Sequence, residues 1–304
     1  MSTETPPPPS PEALKAQRMR LVGIGLMCCA CICFACLDAT AKNLGRHLDM
    51  LEVVWARYAS AFAIAFLIYN PWTRPGLVRT QRPFLQIGRS ALLLGGTMFN
   101  FMSFRWLQLD QSLAIAFSTP LMVAAAAGPI LGEWIGIRRW IAICVGLAGV
   151  LVVIQPGLGS FHPAMILSVC SAACTCFYVI TTRILARHDS TETTLFYSNL
   201  VGVVALLPVM PAVWTTPSDP VHIFLMVTFG AFGSLGHYLL IVAHRHTPAS
   251  VLSPFTYSQL IWAVTLGYLV FGDVPNRWTL VGAAIVIASG LYLVHRERMR
   301  GRRL

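Results

Sequence analysis

Charge is what this chain has least of. Asp, Glu, Lys and Arg together make up 11% of its 304 residues, against about 25% in soluble domains. So little charge cannot clothe a soluble globule. Lipid is the solvent that suits an apolar fraction of 56% and a mean hydropathy of +0.66. Acid is scarcer than base, with 12 Asp and Glu against 22 Lys and Arg. Yet the bases form no folded basic face of the kind that reads nucleic acid. They flank apolar runs, as topology determinants do. Nucleic acid is therefore excluded as a partner, and the expected partners are the bilayer and a small-molecule cargo.

Enzyme signatures are missing as well. There is no P-loop pattern, so ATP is not the direct driver, and neither H-E-x-x-H nor G-x-S-x-G occurs. The eight histidines are scattered. No cofactor is expected. All nine cysteines fall inside apolar runs, none in a loop where a disulfide framework would form. Small apolar packing residues are the plain reading. Cys29, Cys33 and Cys36 share one face of the first span, and Cys170 and Cys174 share a face of the sixth. Soft thiolates can carry Cu(I) or Zn, but no His-rich loop accompanies them. A metal carrier and a membrane enzyme acting on a lipid-linked substrate therefore stand behind the metabolite carrier.

What is there is a succession of apolar runs. About twenty such residues cross a bilayer as a helix. The runs fall near 21–41, 51–70, 86–107, 112–131, 139–155, 163–182, 193–214, 221–243, 249–271 and 276–295. Residues 1–20, polar and with Pro6 to Pro9, read as a disordered cytoplasmic tail, and 296–304 as a basic one. The first run is too long for a signal-peptide core and reads as a signal anchor.

With the N-terminus in the cytoplasm, the inner segments hold Lys15, Arg18, Arg20, Arg74, Arg79, Arg82, Arg89, Arg138, Arg139, Arg183, Arg187, Arg245 and five C-terminal arginines. The outer ones hold only Lys42, Arg46, Arg105 and Arg277. That asymmetry places both termini in the cytoplasm of a cell with an inner membrane and makes the number of spans even.

The halves echo each other. Span four runs into Gly132-Glu133, then Arg138-Arg139-Trp140 and a helix with Gly146 and Gly149. Span nine runs into Gly272-Asp273, then Arg277-Trp278 and a helix with Gly282 and Gly290. A repeat of five spans is odd, so the second copy, 161–295, must lie upside down against the first, 21–156.

These residues resemble the EamA family of the drug/metabolite transporter superfamily. The resemblance rests on Asp38-x3-Lys42, Glu52, Arg57, Ser118-Thr119-Pro120, Gly132-Glu133, Arg138-Arg139-Trp140 and Pro156 in the first half. In the second it rests on Gly233, Gly236-His237, Pro254-Phe255, Tyr257, Trp262, Phe271-Gly272-Asp273, Pro275, Trp278 and Arg296-Glu297. It implies an all-α membrane fold of ten helices in two inverted five-helix repeats, and transport of small metabolites. The Asp-x3-Lys pattern is similar to that of riboflavin and S-adenosylmethionine carriers. Two positions depart from the family: Asp273 where Glu is commoner, and Leu260 where a proline is usual.

Asp38 and Lys42 are one helical turn apart and can face each other. They read either as a substrate or proton contact or as a structural ion pair. Arg57, inside span two, calls for a partner, for which Glu52 or Asp38 would serve in a scaffold pair. Arg105 suits an anionic group or interfacial anchoring. The resemblance places spans three, four, eight and nine around a central cavity, so Asn100, Ser118, Thr119, His237, Tyr257, Gln259 and Trp262 join Asp38, Lys42 and Arg105 as substrate-binding candidates. His237 is a candidate proton carrier. Pro120 and Pro254 are candidate gating kinks. The series Ala124, Gly128, Gly132 and Gly136 suits close helix packing or a homodimer.

Overall fold

The structure is a computed structural model that describes residues 11–68, 72, 76–132, 136–155, 162–185, 188–247, 252 and 255–301. Among them there is no strand. The elements are α1 (Pro11–Leu44), α2 (Met50–Ile68), α3 (Pro83–Ser103), α4 (Leu109–Ala116), α5 (Thr119–Leu131), α6 (Ile137–Ile154), α7 (Ala164–Leu185), α8 (Thr191–Leu206) and, after a 3-10 turn at Leu207–Val209, α9 (Met210–Val213). Then follow α10 (Pro220–His246), α11 (Gln259–Phe271) and α12 (Arg277–Gly301). The first helix begins at Pro11, ahead of the first apolar run.

Among the described residues, five segments are long and apolar enough to cross a membrane: Leu21–Leu44, Met50–Ile68, Ala164–Thr182, Glu192–Val213 and Pro220–Ala243. Shorter apolar helices are Trp140–Ile154, Gln259–Phe271 and Arg277–Tyr292. The third run carries Gln86, Arg89 and Asn100, which lower its hydropathy. The fourth is split, because the chain turns at Phe117-Ser118 between α4 and α5. Pro120 therefore sits in the first turn of α5, where a missing N–H costs nothing, and marks a break between helices. A matching turn at Tyr257-Ser258 precedes α11, although Leu260 occupies the place of the second proline. Pro254 lies outside the described residues.

Large apolar side chains such as Ile141, Leu151, Phe224, Val227 and Leu269 stand on the outside of the bundle. In water that surface would be prohibitive; against lipid it is the natural one. Inside, one core joins Leu37, Leu44, Val53, Val54, Phe101 and Phe229, and another joins Ile115, Leu121, Ile143, Val150, Met165 and Val286. The dominant pairings are α1 with α10, α6 with α12, α3 with α7 and α2 with α10; α2 and α3 also each pack on α8.

Without a hydrophobic force between helices in lipid, small residues set these approaches. A Cβ on Gly282 would lie 2.5 Å from Val153 Cγ2 and 2.6 Å from the Gly149 carbonyl oxygen, so α6 and α12 meet backbone to backbone. Gly272 closes α11 in the left-handed region at φ 70°. Its N–H donates to Tyr268 O and that of Asp273 donates to Gly267 O, each at 3.0 Å, which turns the chain sharply and fixes where Asp273 points. Gly132 has the same φ sign at the end of α5. Its partner Glu133 is outside the described residues.

Candidate functional site

A cavity of about 520 Å³ lies among α2, α3, α7, α8 and α10. Cavities of this size hold mid-sized metabolites. Ile68, Leu77 and Glu192 border it at the end of the bundle where the Arg79–Arg82 loop lies, here the basic end. Arg57, Tyr178, Gly233 and His237 border it deeper in. Ile68 and Arg57 are both on α2, about 16 Å apart along its axis at about 1.5 Å per residue. Apolar walls (Ile64, Leu93, Leu195) alternate with the rings of Tyr58, Phe196 and Tyr238.

Arg57 Nη1 donates to Thr97 Oγ1 at 2.6 Å, and the same oxygen meets the Tyr58 hydroxyl at 3.0 Å. The guanidinium carbon stands 4.9 Å from the Tyr58 ring centre and 5.8 Å from that of Phe101. The scaffold ion pair expected with Glu52 or Asp38 is not formed: among the described residues no carboxylate lies within 4.0 Å of Arg57. Glu52, fully buried, instead accepts from the Thr215 backbone N–H at 3.2 Å and its hydroxyl at 3.0 Å.

Arg89, grouped by its sequence position with the inner-segment charges, is only 2% exposed. It lies in α3, facing α7 and α8. Nε donates to Thr182 Oγ1 at 2.6 Å, Nη1 to Ser198 Oγ at 2.8 Å and Thr194 O at 3.3 Å, and Nη2 to the Tyr178 hydroxyl at 2.8 Å. Every partner is neutral. Tyr178 and Ser198 also border the cavity, so Arg89 stands directly behind its wall. The signal that could have exposed it is the polar stripe of α3: Gln86, Arg89 or Ser90, Thr97 and Asn100 recur at three- or four-residue steps, or multiples of them, on an otherwise apolar helix.

Beyond the cavity, towards the far end, lies a polar belt. Asp38 accepts from Asn100 Nδ2 at 3.5 Å and Gln259 Nε2 at 3.4 Å. Asn100 Oδ1 accepts from Ser112 Oγ at 3.1 Å, and that hydroxyl meets Ser103 at 3.1 Å and Ser168 at 3.0 Å. Lys42 does not pair with Asp38. Its Nζ donates to Asp273 Oδ2 at 2.5 Å, while Lys42 and Arg46 lie 4.8 and 4.6 Å from the Phe271 ring centre. Above the belt, α1 is thus fastened to the turn after α11.

His237 lines the cavity, edge-on to Phe34 at 5.0 Å. Asp38, Asn100 and Gln259 form the belt, and Lys42 the far-end pair. Ser118 is buried and Thr119 half-buried at the first helix break. Tyr257, at the second break, is buried edge-on against Phe117 at 5.0 Å. The two breaks therefore touch. Arg105 is exposed in the turn after α3, and Trp262 is 36% exposed on the outside of α11; neither reaches the cavity. Tyr58, Tyr178, Glu192 and Ser198 line it without having been singled out from the sequence.

The EamA-like transporter family model matches residues 21–155 and again 162–295. An S-adenosylmethionine uptake transporter of Rickettsia conorii is 29% identical over 263 residues, 86% of this chain and 88% of that protein. A riboflavin transporter of Vibrio cholerae is 27% identical over 248 residues, 80% of this chain and 83% of that one. A solved crystal structure at 14% identity superposes with a TM-score of 0.60, covering 91% of this chain and 96% of the other, a likeness of fold.

Proposed function

The chain belongs to the EamA-like transporter family, and from that premise we propose that it is a secondary carrier of a small polar organic metabolite. It works by alternating access between two inverted halves of five spans each, with both termini on the cytoplasmic face of an inner membrane. The observation that carries this reading is a cavity confined to one part of the bundle's length. It extends from the basic end to Arg57 and His237, and beyond it lie the Asp38 belt and the Lys42–Asp273 pair.

Two further observations support the inverted halves. Shifting each span by five exchanges the pairings: span one on eight (α1 with α10) becomes span six on three (α7 with α3), and span two on eight (α2 with α10) becomes span seven on three (α8 with α3). The broken spans four and nine meet at corresponding points, Phe117 and Tyr257. The transporter relatives suggest cargo of the S-adenosylmethionine or riboflavin kind.

Purified protein in liposomes tests the reading. The panel is amino acids, nucleobases, riboflavin and S-adenosylmethionine, with and without a pH gradient. At least one solute should cross faster than in protein-free liposomes; no such solute in either condition would defeat the proposal.

A further inference from the structure

We propose that the cavity selects cargo bearing a carboxylate and that Arg57 is the group that binds it; this rests on the carrier reading above. The cavity's positive charge has no contact counter-charge among the described residues. Two guanidinium groups border or back this one cavity, and among the described residues neither has a carboxylate within 4.0 Å. Asp38 is a candidate counter-charge that acts on Arg57 through space, but it makes no contact ion pair with it and its hydrogen bonds come from the Asn100 and Gln259 amides. Even setting Asp38 against Arg57 leaves the charge of Arg89. The one acid in the described cavity wall, Glu192, stands at the basic end in the first turn of α8.

The two arginines are not equivalent. Arg89 engages Nε, Nη1 and Nη2, and it is buried behind Tyr178 and Ser198. It contributes field. Arg57 has one Nη1 bond, to Thr97, and five N–H groups in all. Gly233 on α10 lies beside its Nε, where an added Cβ would come within 3.9 Å, and among the described residues neither Nε nor Nη2 has a hydrogen-bond partner. One free guanidinium edge matches the two oxygens of one carboxylate. In a low-dielectric pocket that bond would give Arg57 the contact ion pair that the described residues do not supply.

The test uses matched solutes that differ in the anionic group alone. Reconstituted full-length protein is given S-adenosylmethionine against its decarboxylated form, L-methionine against methioninamide, and riboflavin against its 5′-phosphate. The carboxylate member of a transported pair should show about tenfold or greater preference in initial uptake, the scale of a charge-assisted bond. Arg57→Gln should reduce that preference to about twofold or less, and Arg57→Lys should leave it in between.

Equal uptake of both members by the parent protein would overturn the carboxylate assignment while leaving the carrier reading standing. So would uptake confined to riboflavin or its phosphate, since neither bears a carboxylate. If none of the six solutes crosses, the carrier reading for this cargo falls, and the assignment with it. The comparison within the parent protein decides the matter even if Arg57→Gln does not fold.

Discussion

Lys42 Nζ and Asp273 Oδ2 stand 2.5 Å apart, joining α1 to the turn after α11 across 231 residues of sequence. Lys42 is 6% exposed and Asp273 20%. Removing one member of a buried pair strands the other charge, at about 3–5 kcal/mol. Opening the far end relieves that cost, so the expected effect of Asp273→Asn or Lys42→Gln is a closed end that no longer holds. Each should lower substrate uptake several-fold and lower the thermal midpoint in detergent. The exchange Lys42→Asp with Asp273→Lys should recover uptake above either single variant. If the exchange is no better than the two losses added, the residues are not coupled.

Arg89 pits two effects against each other. Its burial costs several kcal/mol, which its hydrogen bonds and the Tyr178 ring 4.5 Å away offset. Its neighbours keep other bonds without it: Thr182 Oγ1 donates to Tyr178 O at 2.6 Å and Ser198 Oγ to Thr194 O at 2.7 Å. Arg89→Met should therefore change stability by only about 1–2 kcal/mol, because few orphans remain. Uptake should fall more than in Arg89→Lys, which keeps the charge. A collapsed thermal midpoint in Arg89→Met, with uptake per folded molecule unchanged, would assign Arg89 to structure instead.

The contrast between these residues explains what the sequence could and could not disclose. Apolar runs, the Gly-acid turns and the recurrence of both are local patterns, and they led to the membrane class and the family. The pairing of charges is not local. Asp38 and Lys42 have the spacing of a helix ion pair, yet Lys42 finds a closer partner delivered by the left-handed Gly272. Glu52 is five residues from Arg57 and is taken by Thr215. Arg89 looked like a loop charge because it lies near the start of α3, and only the α7–α8 packing buries it. The cavity draws on five helices, so its outline is a property of packing, and Arg105 and Trp262, plausible by type, fall outside it.

Asp189 predicts a pH response at the basic end, outside the spans. Burial pushes its carboxyl up, but donation from Thr80 Oγ1 at 2.5 Å, Gln81 N–H at 3.0 Å and Gln86 Nε2 at 2.8 Å, with His188 nearby, holds it below the ordinary carboxylate range. A carboxyl depressed on folding stabilises fully above its unfolded pKa, about 3.9. That contribution is lost as pH falls through the folded value, so the loss begins below about pH 4. The clasp ties the segment before α3 to the α7–α8 turn. Thermal midpoints between pH 5 and 3 should fall more steeply in the parent than in Asp189→Asn. Parallel slopes would mean that the clasp does not titrate there.

Gly290 and Tyr257 test the helix breaks. A Cβ on Gly290 would lie 1.8 Å from the Tyr257 hydroxyl oxygen and 3.0 Å from Cζ, so Gly290→Ala must push that ring off Phe117. Overpacking of this kind costs about 1–3 kcal/mol. Tyr257→Phe removes the atom in conflict, and adding it to Gly290→Ala should restore most of the lost thermal stability. The pair also separates two roles for Tyr257. If the residue only packs the break, uptake returns together with stability in the double variant. If its hydroxyl also binds cargo, stability returns and uptake does not, because the hydroxyl is gone in both Tyr257→Phe and the double. A Gly290→Ala variant as stable as the parent would mean that α12 and the second break are not in contact.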